Sequence, residues 1–201
     1  MPRVYKKAMV KGIGVNDAEH TINVDKNLIP AYSAWLNMMR RCYDPAHIAK
    51  YPTYAGCSVC DEWLHFSNFE RWFANNYRDG YDLDKGILKR GNKVYCPEYC
   101  AYVPKKINYL FCKSNAKRGE FPIGVSFKGQ DKRKKRFKAY MLVNRSQVHL
   151  GYYDNPDDAF LAYKGAKEDY IKAVAEECFY NGEIDKRVYD ALMKYEVQLT
   201  D

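Results

Sequence analysis

The chain has 201 residues, of which 33 are Lys or Arg and 25 are Asp or Glu, so its formal net charge is +8 at pH 7. Hydrophobic residues make up 47% and charged residues 29% of the composition, which is typical of globular proteins and excludes a disordered chain. The sequence has no apolar run of membrane-spanning length and no secretory signal, so we expect a cytoplasmic protein without a membrane span. A basic protein of this kind most often meets a polyanion, usually nucleic acid.

The first third of the chain is predicted to contain strands, a helix and a loop. Residues 1–28 have the composition of an irregular segment with some strand. A helix is expected from Pro30, because proline suits the first helical turn and the following apolar residues recur with a 3.6-residue period: Ala34, Trp35, Met38, Met39 and Cys42. Residues 44–59 contain two prolines and a glycine and are predicted to be a loop.

A second helix is predicted over residues 67–77. Ser67 is placed to cap its N-terminus, and Glu70 follows three residues later, as in a capping box. Its apolar face is expected in the core: Phe69, Trp72 and Phe73. Farther along, Gly91-Asn92 is a turn signal between short strand-like runs.

The second half of the chain predicts three strands followed by two helices. The strands are expected at 121–127, 137–143 and 147–152. A helix begins after an Asp/Asn cap at 154–155, with a proline in its first turn and acidic residues at the positive end of its dipole. A last helix is expected over 183–197.

The positive charge is concentrated in one stretch. Residues 113–138 hold ten basic side chains against Glu120 and Asp131, so this stretch alone carries +8. Such a run forms either a solvated hairpin loop or a phosphate-binding loop, because lysine and arginine release counterions when they meet a DNA backbone. Its densest part is Lys132, Arg133, Lys134, Lys135 and Arg136.

The chain has seven cysteines, and the odd number together with the absent signal argues against a disulfide framework. Two closely spaced pairs match the ligand pattern of a four-thiolate structural zinc site. The alternative, which we favour, is a set of buried free thiols. The four residues are Cys57, Cys60, Cys96 and Cys100.

Residues 121–175 resemble the Apetala-2/ERF DNA-binding domain. The resemblance rests on Gly124-Val125-Ser126, on Phe137-Lys138-Ala139-Tyr140, on His149-Leu150-Gly151-Tyr152-Tyr153 and on the helix that contains Ala159-Phe160-Leu161-Ala162-Tyr163. It implies a three-stranded antiparallel sheet that lies in the DNA major groove and is backed by a helix. Together with the basic loop, the implied DNA-binding residues are Ser126, Lys128, Lys132, Arg133, Lys134, Lys135, Arg136, Lys138, Tyr140, Arg145 and His149.

Residues 28–112 resemble phage-encoded HNH homing-type endonucleases that carry the same C-terminal module. The resemblance rests on Trp35, Met38 and Arg40-Arg41-Cys42-Tyr43, on Cys57-Ser-Val-Cys60-Asp-Glu-Trp63, on Leu83-Asp84-Lys85, on Gly91-Asn92-Lys93 and on Val103-Pro104 with Asn108. It implies a ββα-metal fold that hydrolyses a DNA phosphodiester with one divalent ion, Mg²⁺ or Mn²⁺. By position, Asp84 and Asn108 are the metal ligands, and Lys85 and Asn92 take the catalytic positions.

Two residues depart from this family pattern. Lys85 occupies the position of the general-base histidine, and lysine has an unperturbed pKa near ~10.4, so it is a poor base at neutral pH unless it is strongly desolvated. Gly86 stands where related sequences tend to have another aspartate. Of the four histidines, His47 and His65 are nearest in sequence to this region.

The sequence therefore predicts an α+β protein with three parts. Residues 1–112 form an HNH-like ββα-metal module, residues 113–179 a sheet-plus-helix module with a basic linker, and residues 180–201 a C-terminal helix. We expect a sequence-directed binder of double-stranded DNA with metal-dependent endonuclease activity, acting in a bacterial host cell as a phage product. The alternatives are a non-enzymatic DNA-binding or regulatory protein whose first half is a scaffold, and an adaptor for a host protein.

Overall fold

The computed structural model describes residues 8–111, 120–127, 129, 136–144 and 146–199. The chain divides into two compact units, Met1–Pro104 and Lys105–Asp201. Both units combine helices with small sheets, which confirms the predicted α+β class. Within the described ranges, no helix is both long and apolar enough to cross a membrane.

The described residues of the first unit, from residue 8 onward, form four two-stranded sheets. Three of them are antiparallel, and the pair of β5 and β7 is parallel. The β6–β8 pair places Asp84 opposite Ala101, at the end of the strand that leads into the Gly91-Asn92 turn. The strands are β1 (Ala8–Val10), β2 (Gly14–Asn16), β3 (Asn23–Val24), β4 (Asn27–Leu28), β5 (Ser58–Val59), β6 (Tyr81–Asp84), β7 (Val94–Tyr95) and β8 (Ala101–Pro104).

Two longer helices and a set of aromatic side chains form the core of the first unit. The helices are α1 (Pro30–Tyr43), α2 (Pro45–Lys50) and α3 (Phe66–Asn76), and 3-10 turns cover 52–54 and 61–64. Trp35 of α1 is fully buried, and its indole N–H donates to the Trp63 carbonyl at 2.7 Å, so this buried polar group is satisfied. Other core residues include Met38, Met39, Phe66, Phe69 and Phe73.

The second unit is a three-stranded sheet with helices. The strand order is β11-β10-β9, and both pairs are antiparallel. A 25-residue helix packs its N-terminal half against one face of this sheet, where Ala159, Phe160 and Tyr163 meet Val125 and Ala139. The elements are α4 (Lys105–Leu110), β9 (Val125–Phe127), β10 (Phe137–Val143), β11 (Ser146–Tyr153), α5 (Pro156–Tyr180) and α6 (Lys186–Met193).

Several predicted bounds are wrong. The predicted loop at 44–59 contains α2, which is capped by the Asp44 side chain, and a 3-10 turn. The first strand of the sheet begins at Val125 rather than 121, because Gly124 adopts a left-handed φ of 76° just before it. The last helix is shorter than predicted and covers only Lys186–Met193.

The predicted capping box at Ser67 is also wrong. Helix α3 begins at Phe66, and its N-cap residue His65 makes no side-chain capping bond. The cap is provided instead by Asp17, which lies fifty residues earlier in the chain. Its carboxylate accepts hydrogen bonds from the Ser67 backbone N–H at 2.9 Å and from the Ser67 hydroxyl at 2.9 Å. It also bonds His65 Nδ1 at 3.0 Å. A tertiary contact therefore replaces the local cap.

Candidate nucleic-acid interface and candidate metal site

The candidate nucleic-acid interface is one face of the three-stranded sheet. Residues directly opposite each other on neighbouring antiparallel strands point to the same face. Lys138 lies opposite Ser126 on β9 and Tyr152 on β11, and Tyr140 lies opposite His149. Side chains two apart on β10 share a face, so these positions form one surface. We call it the outer face, and it comprises Ser126, Lys138, Tyr140, Leu142, Gln147, His149 and Tyr152.

The opposite face of the sheet is covered by α5. Val125 and Ala139 lie opposite each other on β9 and β10, and both are buried against this helix. Because adjacent residues on a strand point to opposite faces, burying Val125 and Ala139 turns Ser126, Lys138 and Tyr140 away from the helix.

Gly124 allows α5 to approach this closely. A Cβ atom at this position would lie 2.1 Å from Cδ2 of Tyr163, and the backbone φ of 76° is one that other residues rarely adopt. Any side chain here would therefore push Tyr163 out of its buried place or strain the turn. This close packing gives a physical reason for a glycine at position 124, which is one of the residues on which the resemblance rests.

The outer face carries hydrogen-bond donors held by neighbouring side chains. Lys138 Nζ donates to Gln147 Oε1 at 2.9 Å and lies 5.6 Å from the centre of the Tyr140 ring. The rings of His149 and Tyr152 are 4.7 Å apart. Lysine, glutamine, tyrosine and histidine can all donate to base edges or phosphate oxygens, so the chemistry of this face suits a polyanion.

A β-bulge shifts the register in the middle of the face. The pairing of β10 with β11 slips between Ala139 and Tyr140, so that Leu150 is the extra residue and His149 pairs with Tyr140. The bulge keeps His149 on the outer face, although simple alternation from Tyr152 would place it on the other one. The bulge therefore adds His149 to the outer-face side chains.

Sequence reasoning missed three outer-face residues, Leu142, Gln147 and Tyr152. The signal that identifies Tyr152 is its cross-strand position opposite Lys138, and Gln147 is identified by its hydrogen bond to the same lysine. Arg136 is exposed directly before β10. The remaining predicted DNA-binding residues lie outside the described residues: Lys128, Lys132, Arg133, Lys134, Lys135 and Arg145.

The candidate metal site centres on Asp84 at the end of β6. Asp84 Oδ1 accepts backbone N–H groups from Gly86 at 2.6 Å and from Ile87 at 2.7 Å, which is the geometry of an Asx turn. One carboxylate oxygen is therefore used to shape the chain that leaves the strand. The backbone N–H of Gly86 is one of the two donors.

Lys85 and Asn92 contact each other's backbone across the turn. Lys85 Nζ donates to the Asn92 carbonyl at 3.2 Å, and Asn92 Nδ2 donates to the Lys85 carbonyl at 2.7 Å. Asn92 is 9% exposed and also bonds the backbone of Val94 with both ends of its amide. These contacts hold residues 85–94 in place. They also make Lys85 a donor, which is the reverse of the role of a general base.

The two predicted metal ligands belong to different units. Asp84 lies in the first unit, and Asn108 lies on α4 of the second. Within the described ranges, no three His, Cys, Asp or Glu side chains are grouped so as to hold a metal ion. Asp84 therefore does not belong to a preformed cage of such side chains, and a divalent ion bound here would need water and phosphate oxygens as its further ligands.

The four cysteines of the predicted zinc pattern are free thiols in largely buried positions. Cys57, Cys96 and Cys100 are buried and Cys60 is half-buried. Burial raises the pKa of the Cys100 thiol well above its ordinary value, and it also raises the pKa of Cys60 and Cys96. Buried thiols of this kind pack as small apolar groups.

No protein-family model, curated protein or solved structure matches this chain.

Proposed function

We propose that the protein binds double-stranded DNA in a sequence-directed manner through the outer face of the β9–β11 sheet. The observation that carries this proposal is the cross-strand register, which gathers Ser126, Lys138, Tyr140 and His149 on the face that points away from α5. Four positions chosen from sequence for their DNA-reading chemistry thus share one surface. The sequence adds a segment of five consecutive cations immediately before β10.

The surface suits the DNA major groove for geometric and electrostatic reasons. The groove is about 12 Å wide and admits a β-ribbon, whose neighbouring strands are about 4.8 Å apart. Lys138 and His149 provide donors for guanine or phosphate oxygens, and Tyr140 and Tyr152 provide both rings and hydroxyl groups. The basic segment before β10 adds affinity that does not depend on sequence, because its cations neutralise phosphates.

Substitution of the outer face tests the proposal. A preferred duplex is first selected from a random DNA pool, and its affinity is measured by fluorescence anisotropy against a scrambled duplex. Lys138→Ala and His149→Ala should each weaken binding to the preferred duplex by roughly 10-fold or more, since one good base contact is worth about 1–3 kcal/mol. The ratio of the affinities for the preferred and the scrambled duplex should decrease as well.

The matched control for this test is Lys186→Ala. Lys186 is an exposed lysine of α6 that pairs with Asp190, so its removal changes the same charge away from the sheet. Equal affinities of wild type, Lys138→Ala, His149→Ala and Lys186→Ala for the preferred duplex would overturn the proposal.

A second candidate function is metal-dependent hydrolysis of DNA. The observation that favours it is the order of elements around Asp84: β6 pairs with β8 in antiparallel fashion, and α4 follows β8 directly, as a strand–strand–helix motif requires. Asp84 would hold the divalent ion, which would polarise the scissile phosphate. The contacts that Lys85 and Asn92 make with the backbone favour the alternative, in which this half is a scaffold for a non-enzymatic DNA-binding protein.

A further inference from the structure

A cluster of cations lies on the first unit, around the end of α1, the end of α2 and the start of β7. Arg40 and Arg41 lie in the last turn of α1, Lys50 ends α2, and Lys93 immediately precedes β7. Arg40, Lys50 and Lys93 are exposed, and Arg41 is half-buried. We call these four residues the α1–α2 basic surface.

Aromatic side chains connect the members of this surface. The Arg41 guanidinium carbon lies 5.5 Å from the centre of the Tyr54 ring, and Lys50 Nζ lies 5.4 Å from the centre of the Tyr51 ring. The ring of His47 contacts both tyrosines: its centre is 4.8 Å from the centre of the Tyr51 ring and 5.6 Å from the centre of the Tyr54 ring. Two of the four cations, Arg41 and Lys50, therefore lie against aromatic rings.

Lys93 joins the same surface from the other side. Its Nζ donates to the backbone carbonyl of Thr53 at 2.9 Å, and Thr53 precedes Tyr54 in the 3-10 turn. Lys93 also follows Asn92, which fixes the 85–94 turn. The surface thus extends from α1 to the edge of the Asp84 region.

The positive charge of this surface is only partly compensated. Asp44, the nearest carboxylate between α1 and α2, is already paired with Lys11. Within the described part of the chain, no carboxylate forms an ion pair with Arg40, Lys50 or Lys93. Desolvation and the fields of Arg40 and Arg41 lower the pKa of His47, and this direction is the one expected where the potential is positive.

We propose that the α1–α2 basic surface binds the phosphate backbone of double-stranded DNA, as a second contact separate from the sheet. This inference rests on the proposed DNA binding and specifies where the first unit contributes to it. Exposed lysines act as point charges without a base code, so the surface adds affinity and leaves sequence preference to the outer face.

The test compares two triple variants of the full chain. Arg40→Gln, Lys50→Gln and Lys93→Gln together remove the exposed cations of the surface, and Arg41 is kept because it is packed against Tyr54. Lys186→Gln, Arg187→Gln and Lys194→Gln remove three exposed cations from the second unit as a matched control. Circular dichroism checks the fold of each protein. Affinity is measured for a selected and a scrambled duplex over a series of salt concentrations.

The affinity of the surface variant is expected to depend less on salt than that of the wild type, while its preference for the selected over the scrambled duplex is unchanged. Each lost phosphate contact lowers the slope of log K against log salt by about 0.9, so the surface variant should lose about 2–3 in slope and roughly 10-fold or more in affinity for both duplexes. The control variant should keep the wild-type slope. An unchanged slope in the surface variant, or an equal loss in the control, overturns this inference and leaves the proposed function standing. Absence of duplex binding by the wild type overturns both.

Discussion

Among single residues, Asn92 is expected to contribute strongly to stability. Its buried amide makes three hydrogen bonds, to the carbonyls of Lys85 and Val94 and to the Val94 N–H. Asn92→Ala leaves these backbone groups without their partner, so the free energy of unfolding should fall by about 2–3 kcal/mol in urea titrations. The exposed Asn75→Ala, which loses one bond to the Arg71 carbonyl, should cost less than about 1 kcal/mol. Equal effects would contradict the structural role of Asn92.

Asp17 predicts a specific response of stability to acid. Desolvation opposes the shift, but the Ser67 and His65 hydrogen bonds outweigh it and lower the pKa of this carboxyl group below 3.8. A group whose folded pKa is depressed stabilises the fold above the unfolded value and loses that contribution as pH falls through the folded value.

Urea titrations at a series of pH values measure this contribution. Asp17→Asn should destabilise the protein by about 2 kcal/mol at neutral pH, and the difference from wild type should shrink as pH falls below about 4. Asp25→Asn, at the exposed tip of the β3–β4 turn, serves as the control and should follow the wild-type profile. A difference that stays constant down to pH ~2 would show that the Asp17 charge contributes nothing.

For whole elements, the contact between α5 and the sheet depends on Gly124. Gly124→Ala should lower the free energy of unfolding by about 3 kcal/mol or more, because it combines a left-handed φ with a clash against Tyr163. Gly182 has a similar φ of 65° with no atom within 4 Å of an added Cβ, so Gly182→Ala should cost only about 1–2 kcal/mol. If both variants lose the same stability, close packing at Gly124 is not what holds the helix to the sheet.

Local patterns predicted elements whose determinants are local. Helix α1 begins at the predicted Pro30, and β10 covers the predicted residues 137–143. The start of α3 was missed because its cap comes from Asp17, fifty residues away, and no local pattern contains that contact. The resemblance implied that Lys138 and Tyr140 belong to a DNA-facing sheet, but the membership of Tyr152 requires the strand register, which a sequence alone does not contain.

For the whole molecule, two surfaces with different chemistry are proposed to make different contributions to DNA binding. The outer face has mixed donors and rings and suits discrimination between base pairs. The α1–α2 basic surface has exposed cations and suits phosphates of any sequence. Because log K falls with log salt in proportion to the number of phosphates neutralised, loss of the α1–α2 basic surface should lower the salt slope without changing the preference between duplexes. Loss of base contacts on the outer face should instead reduce that preference.

Removing the charge of Asp84 distinguishes the two functions considered for the first unit, a metal-dependent nuclease and a scaffold. Asp84→Asn keeps an oxygen that can accept from Gly86 and Ile87, so the Asx turn should survive while the negative charge is lost. If this unit hydrolyses DNA, wild type should cut plasmid in Mg²⁺ or Mn²⁺, and Asp84→Asn should cut roughly 100-fold more slowly or not at all, with duplex affinity retained. Asp25→Asn should cut as wild type does. Duplex binding by the wild type without cutting in either metal would instead assign this half the role of a scaffold, in agreement with the backbone contacts of Lys85 and Asn92.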